Sequence, residues 1–84
     1  MRKPRDTHVY HLFHGREKVY TGLSSDLERR TEDHHRAGKE FSRVEIDGPA
    51  RTRASAERRE AEALDTYRRN HGGLNPRYNK TRDG

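Results

Sequence analysis

The chain has 84 residues, and a domain of this size buries only about 60% of the surface that its unfolded chain exposes. Its 19 Lys and Arg residues against 14 Asp and Glu leave a net charge of +5, and only 11 residues are Leu, Ile, Val or Phe. It has no Cys, no apolar run near the roughly 18 residues of a membrane span, and no apolar signal core. We expect one thinly cored domain over residues 1–84, intracellular and without a membrane partner.

The basic residues are strongly biased, with 15 Arg and only 4 Lys. The planar guanidinium of Arg binds phosphate bidentately, so the bias favours an anionic partner that carries phosphate groups. A coding bias toward Arg is the alternative cause. The charge balance alone does not decide between the two.

The first half of the chain begins with a predicted β-hairpin. After a charged lead-in, Met1–Asp6, the segment Thr7–His14 alternates between two faces, which predicts a strand. Residues 15–17 suit a turn, and Lys18–Gly22 is the predicted returning strand.

Two tyrosines are predicted to meet across this hairpin. If the turn centres on Gly15, Tyr10 lies opposite Tyr20, and direct cross-strand partners share one face of a sheet. The pair is then either an aromatic contact that stabilises the sheet or part of a site.

A first helix is predicted over Leu27–Arg36. Ser24–Asp26 supply N-cap oxygens and Gly38 stands at the C-cap position. The stripe expected to face the sheet consists of Leu27, Arg30, Thr31 and His34. Arg and His beside an inner face are costly unless something polar or anionic meets them. The alternative turns this stripe to solvent, but the helix then has almost nothing apolar to bury.

The second half of the chain predicts a third strand and a long helix. Lys39–Asp47 is the predicted strand, broken by Gly48-Pro49, and the helix runs from about Arg53 to Asn70. The tail from Leu74 to Asn79 is expected to be extended because Pro76 restricts the residue before it. The element order β-β-α-β-α predicts an α+β fold, a small three-stranded antiparallel sheet flanked by helices.

Several residues in this order resemble the motifs of GIY-YIG nucleases. His8-Val9-Tyr10 and Tyr20-Thr21-Gly22 stand where the two name motifs lie on the first two strands. Arg30 follows Tyr20 by ten residues, His34 follows four later, and Pro76-Arg77-Tyr78-Asn79 matches the closing motif. The resemblance covers residues 8–79. It departs from the family at His8, which replaces the first Gly, and at the lengthening 71–73 before the closing motif.

The resemblance implies a metal-dependent endonuclease that hydrolyses DNA phosphodiester bonds, in a cytoplasmic, bacterial or phage-like setting. The catalytic residues that it implies are Tyr10, Tyr20, Arg30, His34 and Asn79. A tyrosine acts as general base, its pKa lowered by cations such as Lys18 or His34, and Arg30 clamps the scissile phosphate. One Mg²⁺ or Mn²⁺ is the only cofactor.

The metal carboxylate is expected on the second helix, where Glu57, Glu60 and Glu62 are the candidates. Glu60 lies four residues before Leu64, as the family's metal Glu precedes an aliphatic residue, and on the predicted inward face. We therefore prefer Glu60 over Glu57, one turn nearer the helix start, and over Glu62, which should face solvent.

Two other classes of function stay open. One is a catalytically inactive, basic nucleic-acid-binding module of the same fold, and the other is an interaction protein whose Arg-rich surface meets an acidic partner. The adjacent His34 and His35 suggest a transition-metal site, but neighbouring helix residues diverge by about 100° and no third ligand is evident. With five residues after Asn79, no separate specificity domain is expected within the chain.

Overall fold

A computed structural model describes residues 4–79 and shows an α+β fold. The strands are β1 (Thr7–His14), β2 (Glu17–Ser24) and β3 (Arg43–Arg51), and the helices are α1 (Leu27–Arg36) and α2 (Arg53–Asn70). The strands form one antiparallel sheet in the order β2-β1-β3. The predicted fold class and both predicted helices are confirmed. Residues 1–3 of the predicted lead-in lie outside the described residues.

The register of the hairpin differs from the prediction. Tyr10 pairs with Gly22 and Leu12 with Tyr20, so the two tyrosines are not directly opposite one another. The reasons are a two-residue turn between β1 and β2 and a bulge in which Val19 is the extra residue. Because the net shift is two residues, Tyr10 and Tyr20 still share one face as diagonal neighbours.

The predicted bounds of the third strand were wrong at both ends. Lys39 is not in β3, which begins at Arg43 and runs through Gly48-Pro49 to Arg51. A proline is tolerated here because β3 is an edge strand. Thr7 pairs with Arg51 and Val9 with Asp47, so residues 48–50 bulge out of the ladder. Gly48, with a φ of 74°, supports this bend.

Each face of the sheet is covered by one helix. Tyr10 points toward α1, where its hydroxyl meets His34. The next residue, His11, points to the other face and reaches Asp47, which Arg59 of α2 also binds. Within residues 4–79, neither helix is long and apolar enough to cross a membrane.

The chain after α2 covers the open edge of β2. The Tyr78 N–H donates to the Val19 carbonyl at 2.8 Å, and the Asn79 side chain pairs with the backbone of Thr21. The tail was predicted to be extended, but residues 74–76 form no regular secondary structure. From there to Asn79 the chain forms a turn, closed by a 2.9 Å hydrogen bond from the Asn79 N–H to the Pro76 carbonyl. Covering an edge strand in this way prevents pairing with other chains.

Candidate active site

Two tyrosines and a histidine form a buried cluster between the sheet and α1. The Tyr10 hydroxyl lies 2.6 Å from His34 Nε2. The ring centroids are 4.7 Å apart for Tyr20 and His34, and 6.0 Å apart for Tyr10 and Tyr20. Tyr10 is fully buried, Tyr20 retains 6% exposure and His34 3%. The structure thus brings together three of the residues selected from the sequence.

Helix α1 adds Arg30 to this cluster. The Asp26 carboxylate caps the helix by accepting a hydrogen bond from the Arg29 N–H at 3.2 Å. Residues 30 and 34 are four positions apart within the helix, so they lie one turn apart on the same side. Arg30 is exposed on the outside of the cluster. Its interactions with the Tyr10 hydroxyl and, to a smaller extent, with that of Tyr20 raise the pKa of Arg30.

His34 is neutral at physiological pH. Burial lowers the pKa of His34 to about 4, with Lys39 and Arg30 adding to the decrease. The prediction that His34 supplies positive charge to the tyrosines was therefore wrong, because a buried imidazole beside two cations does not hold a proton. With its proton at Nδ1, neutral His34 accepts the Tyr10 proton at Nε2, and with its proton at Nε2 it donates to the Tyr10 oxygen.

The tyrosine environment also differs from the expectation of a lowered pKa. Burial raises the pKa of Tyr10 well above its usual range, and neighbouring Tyr20 adds to this increase, while Arg30 opposes it. Tyr10 is therefore a neutral phenol whose hydroxyl both donates and accepts hydrogen bonds.

Lys18 does not belong to the cluster. It interacts with Asp47 and Arg59 on the α2 side of the sheet, and its Nζ lies 5.9 Å from the centre of the Phe13 ring. The second cation beside the tyrosines is Lys39, with its Nζ 5.6 Å from the centre of the Tyr20 ring. Sequence reasoning missed Lys39 because it was assigned to the third strand, whereas it lies in the loop after α1.

Gly22 allows the two tyrosine hydroxyls to converge. A Cβ atom at position 22 would lie 3.0 Å from the hydroxyl oxygen of both Tyr10 and Tyr20, and 2.6 Å from Tyr20 Cε2. No real Cβ atom fits at 2.6 Å, so any side chain here displaces the Tyr20 ring. The packing of the two tyrosines thus explains on steric grounds why a glycine occupies position 22 of the Tyr20-Thr21-Gly22 motif.

We expect Gly22→Ala to move Tyr20 away from His34 and to destabilise the domain. Forcing an extra methyl group into a packed core commonly costs about 1–3 kcal/mol. Thermal unfolding and the chemical shifts of the Tyr20 and His34 rings measure the two effects. An unchanged melting curve with unshifted rings would contradict this account of Gly22.

The closing Asn79 holds β2 from its outer edge. Its Oδ1 accepts from the Thr21 N–H at 2.8 Å and its Nδ2 donates to the Thr21 carbonyl at 2.9 Å, and the side chain is buried. Both polar groups of the Asn79 amide thus bind the backbone of Thr21, the residue between Tyr20 and Gly22. This contact positions the strand that carries Tyr20. A direct catalytic part for Asn79 stays a prediction.

A second polar network lies beneath the tyrosines, on the α2 face. It consists of Thr21, His11, Asp47 and Arg59. Hydrogen bonds from Arg59 hold the pKa of Asp47 at about 2, and burial lowers the pKa of His11. Since the ionised Asp47 can only accept, neutral His11 donates from Nε2 and accepts the Thr21 hydroxyl proton at Nδ1. This network and Asn79 thus fix Thr21 through its side chain and its backbone. Sequence reasoning did not find this network, because Asp47 was expected to end its strand.

The three candidate metal carboxylates all lie on α2. Glu60 is half-buried, Glu62 is exposed, and Glu57 is exposed and pairs with Arg53 at 3.2 Å. Within residues 4–79 no three His, Asp or Glu side chains form a group that could hold a metal ion. A single carboxylate still fits Mg²⁺, which commonly binds one or two carboxylates together with waters and substrate phosphate. His35 stacks on Phe41 at 4.3 Å, away from such a role.

The fold and this cluster define an α+β domain with a buried tyrosine–histidine pair beside an exposed arginine. Comparison with models of known protein families, with curated proteins and with solved structures gives no match for this chain. The chemistry of the site is therefore inferred from its own side chains.

Proposed function

We propose that the protein is a metal-dependent endonuclease of the GIY-YIG type, which hydrolyses phosphodiester bonds in DNA. The observation that carries this proposal is the 2.6 Å contact between the Tyr10 hydroxyl and His34 Nε2, with the Arg30 guanidinium beside it. A purely structural tyrosine pair requires neither a neutral histidine on its hydroxyl nor an exposed cation beside it.

The tyrosine–histidine pair supplies the general base. A water attacks the phosphorus and gives its proton to the Tyr10 oxygen, while the Tyr10 proton passes to His34 Nε2. The bond from phosphorus to the 3′ oxygen breaks, and that oxygen takes its proton from solvent. This route needs no preformed phenolate, which agrees with the raised pKa of Tyr10.

Arg30 binds the scissile phosphate. It is exposed whereas both tyrosines are buried, so a DNA strand meets the guanidinium first. Drawing Arg30 outward onto a phosphate oxygen opens the tyrosine hydroxyls to the attacking water. Charge-assisted hydrogen bonds to phosphate strengthen as negative charge accumulates in the transition state.

The resemblance assigns Mg²⁺ or Mn²⁺ to Glu60, which lies on α2 and thus on the opposite face of the sheet from the tyrosine cluster. A metal ion beside the phosphate would supply Lewis-acid stabilisation to it and to the leaving oxygen. The residues of the cluster account for the remaining tasks, namely activation of water at Tyr10 and orientation of the phosphate by Arg30.

The resemblance predicts that Glu60→Gln abolishes metal-dependent nicking while DNA binding persists or tightens, because the protein loses one negative charge. Glu57→Gln is the matched control, since Glu57 is exposed and its only ion pair within residues 4–79 is with Arg53. Nicking rates and mobility shifts of both variants measure this. Normal cleavage by Glu60→Gln with loss in Glu57→Gln would move the metal site one turn toward the helix start.

The pH dependence of cleavage tests the role of His34. The relay requires neutral His34, whose pKa is lowered from 6.5 to about 4. The site is therefore competent above that value and loses activity as the pH falls toward 4, with no step near 6.5. Single-turnover rates between pH 4 and 8 measure this, provided that circular dichroism shows the fold to persist. A rise in rate centred near pH 6.5 would contradict the assignment.

An inactive binding module is the rival function, favoured by the net charge of +5 and the 15 arginines. The two differ in a single assay. DNA that is shifted in a gel but stays intact with Mg²⁺ or Mn²⁺ selects the module, and nicking that requires the metal selects the enzyme.

A further inference from the structure

A basic cleft lies where the bulge of β3 leads into α2, on the opposite side of the sheet from the tyrosines. Its volume is about 390 Å³. The side chains that matter here are Arg5, Arg51, Thr52, Ser55 and Arg58. The bulge over residues 48–50 creates the cleft, because it turns the end of β3 out of the ladder beside Thr7.

The three arginines of this cleft have no acidic partner among the described residues. Within residues 4–79 no ion pair involves Arg5, Arg51 or Arg58. Three other arginines of α2 do form ion pairs, namely Arg53 with Glu57, Arg59 with Asp47 and Arg69 with Asp65. The first turn of α2 also contains no acidic residue. Three like charges thus line one cleft, which favours the binding of an anion.

Arg51 has an unpaired donor beside the cleft. Its Nε is buried and has no hydrogen-bond partner within residues 4–79. A buried donor left unpaired is destabilising, and more so when it is charged. The guanidinium lies over Gly48, where a Cβ atom would be 3.5 Å from Nη2. A phosphate in the cleft, held by the terminal nitrogens of the same guanidinium, would offset this cost.

The start of α2 borders the same cleft, which Thr52 and Ser55 line. Thr52 caps the helix by accepting from the Ser55 N–H at 3.2 Å. The N–H groups of residues 53 and 54 have no acceptor within the helix because they belong to its first turn. These N–H groups form the positive end of the helix dipole, which favours a bound anion.

We propose that this cleft is a phosphate-binding site, in which Arg51 and Arg58 hold the phosphate oxygens and Arg5 closes the outer side. Tetrahedral oxyanions match the several donors that converge here, and guanidinium forks bind phosphate oxygens in pairs. The site does not rest on the proposed nuclease activity, because none of its residues belongs to the tyrosine cluster. Its ligand is a phosphate group, carried either by a DNA backbone or by a free phosphate compound.

The test is a titration of the metal-free protein with inorganic phosphate, followed by the backbone amide signals of residues 51–55 at constant ionic strength against chloride. We expect saturable shifts at these amides. Arg58→Gln, at an exposed position that leaves the fold intact, should weaken phosphate binding by at least about tenfold, since hydrogen bonds to charged groups contribute about 1.5–3 kcal/mol. Arg16→Gln is the control, because it removes the same charge at the exposed hairpin turn.

Two results would overturn the proposal: no saturable shift at residues 51–55, or equal weakening by Arg58→Gln and Arg16→Gln. A second arm uses a short DNA duplex with EDTA, so that no cleavage is required. Weaker DNA binding by Arg58→Gln than by Arg16→Gln identifies a backbone phosphate as the ligand. Equal DNA binding with the phosphate response retained identifies a free phosphate compound. Nicking by the unaltered protein is measured separately, so failure of the phosphate-site proposal is distinguished from failure of the nuclease proposal.

Discussion

Arg30→Ala is expected to lower the nicking rate by about 10² to 10³ while the fold survives. Arg30 is the exposed member of the cluster and approaches both tyrosine hydroxyls, so it is placed to bind a phosphate as charge develops there. Its loss removes a preorganised charge that acts mainly in the transition state. Single-turnover cleavage of plasmid DNA at saturating protein measures the effect.

Arg29→Ala is the matched control for this variant. It removes the same charge from the neighbouring residue, which is exposed beside Glu28 and Glu32 on another side of α1. Both variants should lose similar DNA affinity through charge alone. Arg30 does not have the assigned role if folded Arg30→Ala keeps more than about half of the nicking activity. The same conclusion follows if Arg29→Ala lowers the nicking rate as much as Arg30→Ala does.

Tyr10→Phe is expected to reduce cleavage by about 10² to 10⁴, the usual contribution of general acid–base catalysis. The ring stays in the core, but the oxygen that takes the proton from water and passes its own to His34 is gone. Tyr20→Phe should also impair cleavage, because the Tyr20 hydroxyl converges with that of Tyr10 over Gly22. Rates are measured alongside melting curves, since loss of the buried hydrogen bond to His34 lowers stability by about 1 kcal/mol.

Tyr67→Phe is the control for removal of a hydroxyl. Tyr67 stacks on His71, with ring centroids 3.7 Å apart, near the end of α2 and outside the cluster. Its loss should leave cleavage unchanged. Wild-type rates in both Tyr10→Phe and Tyr20→Phe would mean that the tyrosines serve only to pack the sheet.

Local signals in the sequence were enough for the helices and for the face that carries the tyrosines. The cap at Asp26 marks the start of α1, and alternation marks β1, whereas the Thr52 cap of α2 is seen only in the structure. The register was not predictable, because the bulge at Val19 leaves no pattern in composition. The prediction that Tyr10 and Tyr20 share one face was still right, because a register shift of two residues preserves the alternation of side chains.

The electrostatics of the site required the structure. Whether His34 carries a proton depends on its burial and on its distance from Lys39 and Arg30. The spacing of residues along the sequence predicts neither quantity. The basic cleft at Arg51 was hidden for the same reason. It exists because β3 continues through Gly48-Pro49, where turn chemistry predicts that a strand ends.

Nicking of supercoiled plasmid by the purified chain tests the nuclease assignment most directly. The protein is incubated with plasmid in Mg²⁺, in Mn²⁺ and in EDTA, with Arg30→Ala run in parallel to exclude a contaminating nuclease. We predict that open-circular DNA forms in the presence of either metal, that EDTA stops it, and that Arg30→Ala slows it by about 10² to 10³. Plasmid that stays supercoiled under every condition, or an Arg30→Ala variant that keeps more than about half of the nicking activity, would contradict the account.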